Sequence, residues 1–295
     1  MAVGPELPPR WGRLDLILLA LLGGLGLWFG LRVSGSLAYQ WNWSAIPQYL
    51  LRHDPSAGWQ ANLLLQGLAA TVRLSAWSLL VALPLGLAAG LLRVSPWLFN
   101  RLLGTTWVNL FRNLPPLVLI FIGYFFVSDQ VLPLLGIGRL VTAAPPALQT
   151  LCAWLVAPPD QVEAFIAGVL TLACYEAAYI AEIVRAGISA VESGQWQAAQ
   201  ALGMRRWQLL RHVVLPQAFK RSVPPLAGQF ISTIKDSAIV AVISIQELTF
   251  QGMELMAATY HTFEIWLTVA ALYFLLTFTC SRLSQKLEKH LLTIS

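Results

Sequence analysis

Six stretches of the chain are apolar for long enough, or nearly so, to cross a bilayer core, which takes about 20 helical residues. They cover 14–31, 63–92, 107–127, 162–184, 223–245 and 265–281. Between the fourth and fifth the pattern changes. Residues 194–216, GQWQAAQALGMRRWQLLRHVVLP, carry Trp196, Ala199 and Leu202 at helical spacing. After Gly203, the residues Trp207, Leu210 and Val214 form a stripe opposite Arg205, Gln208 and His212. The pattern predicts two short amphipathic helices, hinged at the glycine and stopped by Leu215-Pro216, neither of them long enough to span.

Composition puts these runs in a membrane. Hydrophobic residues make up 57% of the chain and charged residues only 11%, and the mean hydropathy is +0.65, well outside ordinary globular usage. The expected fold class is therefore an all-α integral membrane protein with about six transmembrane helices. The formal net charge of +5 would suggest nucleic acid in a soluble protein. Here the charges lie between apolar runs, so they report topology and no nucleic acid partner is expected. Cys152, Cys174 and Cys280 are too few and too scattered for a disulfide framework or a zinc site.

Cytoplasmic loops hold an excess of Lys and Arg. Arg10 and Arg13 precede the first span, Arg93 and Arg101 follow the second, and Arg185, Arg205, Arg206, Arg211, Lys220 and Arg221 fill the connection from fourth to fifth. Arg282, Lys286 and Lys289 follow the last, while the other loops hold Arg32, Arg52 and Arg139. Both termini are expected in the cytoplasm, with Tyr39, Trp41 and Trp43 at the outer interface. Two arginines, an apolar run and Ser36-Leu37-Ala38 also have the form of a cleavable signal peptide. The run is long for one and five further spans follow, so an uncleaved helix is expected.

Ionisable groups at membrane depth cost about 2.5–3.5 kcal/mol on insertion scales, so each needs a partner or a pathway. Glu176 falls near the middle of the fourth span, flanked by Tyr175 and Tyr179, and Lys235-Asp236 interrupt the fifth. For Lys235-Asp236 the alternative to a pathway role is mutual neutralisation; for Glu176 it is a hydrogen bond within the bundle. Glu182 and Arg185 have the i,i+3 spacing of a structural ion pair. Arg73 lies within the second span, and Arg112, near the start of the third, is expected to snorkel to the interface.

No G-x-x-x-x-G-K-[ST] string occurs, so the chain lacks a P-loop, and there is no H-E-x-x-H helix or G-x-S-x-G elbow. His53, His212, His261 and His290 are isolated. No enzyme activity and no metal or cofactor are expected in this chain. The 194–216 segment has two readings: a helix lying in the lipid interface, or a docking element for a cytoplasmic partner. The small residues Ala198, Ala199 and Gly203 favour docking, since they permit close backbone approach.

The string GQ-x-QAA-x-ALG-M followed by LPQA resembles the loop signature of ATP-binding-cassette (ABC) importer permeases. Tyr179-Ile180-Ala181-Glu182-Ile183-Val184-Arg185-Ala186-Gly187-Ile188, Lys235-Asp236-Ser237 and Phe111-Arg112-Asn113-x-Pro115 are similar to the polar amino acid (histidine, glutamine, arginine) subfamily. The likeness covers roughly 62–290. It implies a type I importer core of five helices over 62–290, with a coupling loop at 190–216, preceded by an N-terminal transmembrane helix and outer loop over 1–61. It also implies the partners: separate ATPase subunits that carry ATP and Mg, a second permease subunit that is either a related chain or a copy of this one, and an extracytoplasmic amino-acid-binding protein. The setting is the bacterial inner membrane, with lipid around the spans. Coupling to the ATPase would fall to Glu192, Gln195, Gln197, Ala198, Ala199, Gly203 and Arg205. Gln197 stands where the family commonly has glutamate, which keeps hydrogen bonding but loses a charge. An amino acid substrate carries both charge signs and would need acidic and basic or amide groups near the midplane. Glu176, Tyr175, Asn113, Gln229, Ser232, Lys235 and Asp236 are the candidates. The rival is an ion-gradient-driven carrier without an ATPase, which would predict inverted repeats; none is detected in the sequence.

Overall fold

The computed structural model describes residues 12–36, 39–56 and 58–293. Arg10, Leu37 and Ala38 lie outside the described residues, as do the side chains of Ser36, Lys289 and His290. The chain divides into two units, Met1–Asn42 and Trp43–Ser295. The first contains helix α1 (Arg13–Ser36). Its leucines are exposed all around, including Leu18, Leu22 and Leu25, as suits a helix surrounded by lipid.

The second unit begins with α2 (Ile46–Leu50) and an antiparallel hairpin of β1 (Leu51–Asp54) and β2 (Gly58–Ala61), with Leu51 opposite Ala61 and Asp54 opposite Gly58. Then come α3 (Leu63–Arg93), α4 (Leu98–Asn113) and α5 (Pro116–Phe126), the last continuing through a π-helical turn at Val127–Val131 into α6 (Leu132–Leu135). Two short helices, α7 (Ile137–Thr142) and α8 (Pro146–Leu155), lead to α9 (Val162–Ser189). After α10 (Ser193–Ala201) and α11 (Arg206–Leu209), a π-helical turn at Leu210–Val214 runs into α12 (Leu215–Asp236), which tightens to a 3-10 turn at Ser237–Ile243. Helices α13 (Leu248–Thr259) and α14 (Thr262–Thr293) complete the chain.

Among the described residues six helical stretches are long and apolar enough to cross a membrane: Arg13–Arg32, Leu63–Arg93, Pro116–Leu135, Val162–Ser189, Arg206–Ile243 and Thr262–Lys286. Two expectations need correction. The third span does not run over 107–127; the chain breaks between α4 and α5. Leu114 and Pro115 are extended, with ψ of 145° and 132°, because each precedes a proline whose ring excludes the helical region. The second correction concerns Leu215-Pro216, which does not stop a helix. Pro216 lacks an N–H, but the preceding turn is π-helical, with the Leu215 N–H reaching the Leu210 carbonyl. That wider turn absorbs the bond proline cannot make. The fifth span is therefore continuous with the basic segment before it.

The centre of the unit is the contact between α3 and α9. A Cβ added at Gly86 would stand 2.5 Å from Ile180 Cγ2, and one at Gly90 would stand 2.8 Å from Val184 Cβ. Absence of side chains on α3 lets α9 approach, and the packing of small residues drives association where lipid offers no hydrophobic contrast. Helix α8 is tied to α3 through its C-terminal carbonyls. Arg73 donates to Ala153 O at 2.6 Å and Trp154 O at 3.2 Å, and Trp77 donates to Leu155 O at 2.8 Å. A cation at a helix C-terminus is favourable, so Arg73 has a structural partner inside its span.

Candidate functional site

The α9–α12 contact holds an acidic site. Glu176 is fully buried on α9. Its Oε2 accepts a hydrogen bond from Gln229 Nε2 at 2.6 Å, whereas its Oε1 is buried without a well-aligned donor, with the Thr233 hydroxyl and the Asp236 carboxyl beside the group. The Asp236 carboxyl faces it closely enough to interact. Gln229, Thr233 and Asp236 stand at i, i+4 and i+7 on α12 and so share one face. The Thr233 hydroxyl bonds back to Gln229 O at 3.0 Å. Tyr175, one residue before Glu176, donates to the Tyr179 hydroxyl at 3.2 Å, with the rings edge to face at 5.1 Å.

Four of the predicted substrate residues thus come together: Tyr175, Glu176, Gln229 and Asp236. Three do not. Lys235 is exposed and forms no direct ion pair with Asp236, although its charge still acts on the Asp236 carboxyl from a distance. The reason is helical geometry, since one residue turns the side chain by about 100°. Asn113 is the exposed last residue of α4 and Ser232 is half-buried, and neither side chain joins Glu176. Thr233 was missed by sequence reasoning, though its i+4 spacing from Gln229 is the signal that finds it.

A second buried carboxyl provides the contrast. Glu247 caps α13, accepting from Phe250 N at 2.9 Å and from the Tyr273 hydroxyl at 2.7 Å, with the Thr71 hydroxyl at 3.1 Å. Burial pushes its carboxyl above the usual carboxylate range, and these hydrogen bonds oppose the shift. Glu247 is satisfied by α3, α13 and α14 and has structural work; Glu176 has one oxygen poorly satisfied.

Nearer the Arg93 end of α3, Glu182 gathers three arginines. Arg185 Nε donates at 3.0 Å, as the i,i+3 spacing predicts, and Arg93 also bonds the carboxylate. Arg112 Nη1 stands 3.5 Å from Oε2, and its guanidinium lies 5.3 Å over the Tyr179 ring. Arg112 thus has two contacts within the protein, which no spacing along the sequence discloses.

The basic segment forms the third feature. Helix α10 ends in a Schellman turn, where Gly203 N bonds Gln200 O at 2.9 Å and Met204 N bonds Ala199 O at 3.2 Å. Gly203 has φ of +74°, the left-handed conformation that only glycine adopts without cost. Glu192, Gln195, Gln197 and Ala198 are exposed, and so is Arg205, whose N–H is capped by Gln208 Oε1 at 2.9 Å. Ala199 is only 3% exposed and packs inward with Leu209, Val214 and Ala218. It therefore seats the helix on the permease instead of facing outward. The predicted Trp207–Leu210–Val214 stripe also shifts: Leu209 and Val214 are buried, while Trp207 stands 66% exposed and Leu202 79%. The π-helical turn adds a residue to the repeat, so the faces before and after it do not align.

Residues 82–292 match the family described as the binding-protein-dependent transport system inner membrane component. The chain belongs to this family. Among its relatives is the glutamine transport system permease protein of Escherichia coli (strain K12), 32% identical over 243 residues, or 82% of this chain and 99% of that protein. The probable glutamine ABC transporter permease protein of Bacillus subtilis (strain 168) is 32% identical over 207 residues, 70% of this chain and 83% of that one. The solved structure of an amino acid ABC transporter with histidines superposes with a TM-score of 0.61 at 32% identity, covering 77% of this chain and 94% of its own. As a member of this family the chain is a permease subunit that crosses the membrane several times, and the relatives it matches are transporter permease subunits.

Proposed function

We propose that this permease forms the translocation pathway of an ATP-driven amino acid importer, and that its substrate site lies between α9 and α12 at Glu176, Gln229 and Asp236, beside Tyr175. The observation that carries the reading is the fully buried Glu176 carboxyl, held by Gln229 through one oxygen and facing the Asp236 carboxyl with the other poorly satisfied. Two facing carboxyls at membrane depth are costly as two charges, a cost that either a proton shared between them or a positive group bound there relieves. The ammonium of an amino acid meets that need, and a basic side chain meets it better than an acidic one.

Energy comes from ATPase subunits, which hold ATP and Mg, with no cofactor in this chain. They dock on the exposed surface of α10 and the Gly203 turn, through Glu192, Gln195, Gln197, Ala198 and Arg205, with the exposed Leu202 and Trp207 as apolar anchors. Ala199 acts from inside. This surface lies on the cytoplasmic side with both termini, by the charge bias of the loops. A second permease subunit closes the pathway, and an extracytoplasmic binding protein delivers the substrate. The kinship with ABC transporter subunits speaks against the gradient-driven alternative. The test is uptake of L-arginine, L-glutamine and L-glutamate by proteoliposomes holding this chain, its ATPase and its binding protein. Uptake is expected to require internal ATP, to survive collapse of ion gradients and to favour arginine over glutamate. Uptake driven by an imposed ion gradient without ATP would overturn the reading.

A further inference from the structure

Glu176 and Asp236 account for a substrate's positive charge, which leaves its carboxylate without a partner. Lys235, the lysine beside them in sequence, is exposed and off their face. The positive charge in excess lies elsewhere. Three guanidinium groups, from Arg93, Arg112 and Arg185, share the single carboxylate of Glu182. Arg93 and Arg185 are hydrogen-bonded to it, and Arg112 is the loosely held one at 3.5 Å, with its side chain 40% exposed.

Position completes the argument. Glu182 lies six residues after Glu176 on the same helix, an axial separation of about 9 Å. Tyr179 lies in that interval, its hydroxyl bonded to that of Tyr175 just before Glu176, and the Arg112 guanidinium lies 5.3 Å over the Tyr179 ring. A planar guanidinium resting on an aromatic ring keeps its donor edge free for a carboxylate, which it can bind in a bidentate manner. The acidic pair and Arg112 are thus linked through the two tyrosines, which stand between them along and around α9.

We propose that Arg112 is the anion-binding residue of this pathway, taking the substrate's α-carboxylate while Glu176 and Asp236 hold its positive end. The inference rests on the amino acid reading given above. It predicts a specific discrimination, between an amino acid and the amine that remains when its carboxylate is removed.

The test is direct binding of L-arginine and of agmatine, its decarboxylated counterpart, to the purified permease–ATPase complex in lipid nanodiscs without the binding protein. The wild-type complex should bind arginine at least about tenfold more tightly than agmatine, as the loss of one charge-assisted contact requires. Arg112→Gln should bring the two within about twofold, and Arg112→Lys should retain part of the preference. A structural role for Arg112 would weaken both ligands alike. If Arg112→Gln fails to assemble, Glu182→Gln tests the same point by removing the competing carboxylate. The preference for arginine must then rise, and an unchanged preference overturns the proposal. Full preference in Arg112→Gln, with binding lost in Glu176→Gln, sinks the role of Arg112 and leaves the acidic site standing. Failure of the wild-type complex to bind either ligand sinks both.

Discussion

Replacing Gly203 by valine tests whether the turn after α10 transmits force. Its φ of +74° is left-handed, and a Cβ placed there meets nothing within 4 Å, so the cost is in the backbone alone. A non-glycine residue in that region loses roughly 1–2 kcal/mol, and a β-branched one is a worse fit. If the turn opens to relieve the strain, the bonds from Gly203 N to Gln200 O and Met204 N to Ala199 O are lost as well. One to two kcal/mol shifts a local equilibrium by a factor of about 5–30. Substrate-stimulated ATP hydrolysis by the assembled transporter should therefore fall at least about fivefold in Gly203→Val, with membrane insertion unchanged. Asparagine tolerates the left-handed region, so Gly203→Asn should stay within about twofold of wild type. Normal coupling in the valine variant, or equal loss in both, would refute the argument and favour a helix lying passively in the lipid interface.

Three further outcomes follow from the same structure. A cysteine replacing Arg205 should be shielded from an impermeant external thiol reagent, and one replacing the exposed Glu254 should react; labelling at 205 from outside would reverse the topology. Gly86→Ala places a Cβ 2.5 Å from Ile180 Cγ2 and should cost about 1–3 kcal/mol by overpacking, read as a lower melting temperature that Ile180→Ala partly restores. Burial raises the folded-state pKa of Glu247 above the ordinary value of 4.5, so the folded protein binds its proton more tightly. Its contribution is then present at low pH and is lost as pH rises from the unfolded to the folded value. Glu247→Gln should flatten that part of the stability profile, and an unchanged slope would contradict the assignment.

Spans were legible in the sequence wherever an apolar run coincided with one helix, as over 63–92 and 162–184. The third was misplaced because composition stays apolar through Leu114-Pro115-Pro116 while the backbone cannot remain helical there. Leu215-Pro216 erred in the opposite sense: the proline is visible, but the π-helical turn that accommodates it is not. Within the site, Glu176 was legible from the cost of a buried charge, and Gln229 and Asp236 followed as polar groups in the neighbouring apolar run. Lys235 was overvalued because adjacency in sequence is not adjacency on a helix face. Glu182 shows the same limit from the other side, since its pair with Arg185 is local and readable while Arg93 and Arg112 arrive from helices distant in sequence.

The central claim, that this subunit itself holds an amino acid at the α9–α12 contact and couples its passage to ATP, turns on Glu176. The direct measurement is ATP-dependent amino acid uptake by Glu176→Gln, normalised to membrane-inserted protein and to intact ATPase assembly. Glutamine preserves shape and can still bond Gln229, but it removes the negative charge. Uptake should fall or change its selectivity at near-normal abundance. Unchanged rates and selectivity, or a loss fully explained by missing protein, would contradict the account and leave Glu176 a structural residue of the bundle.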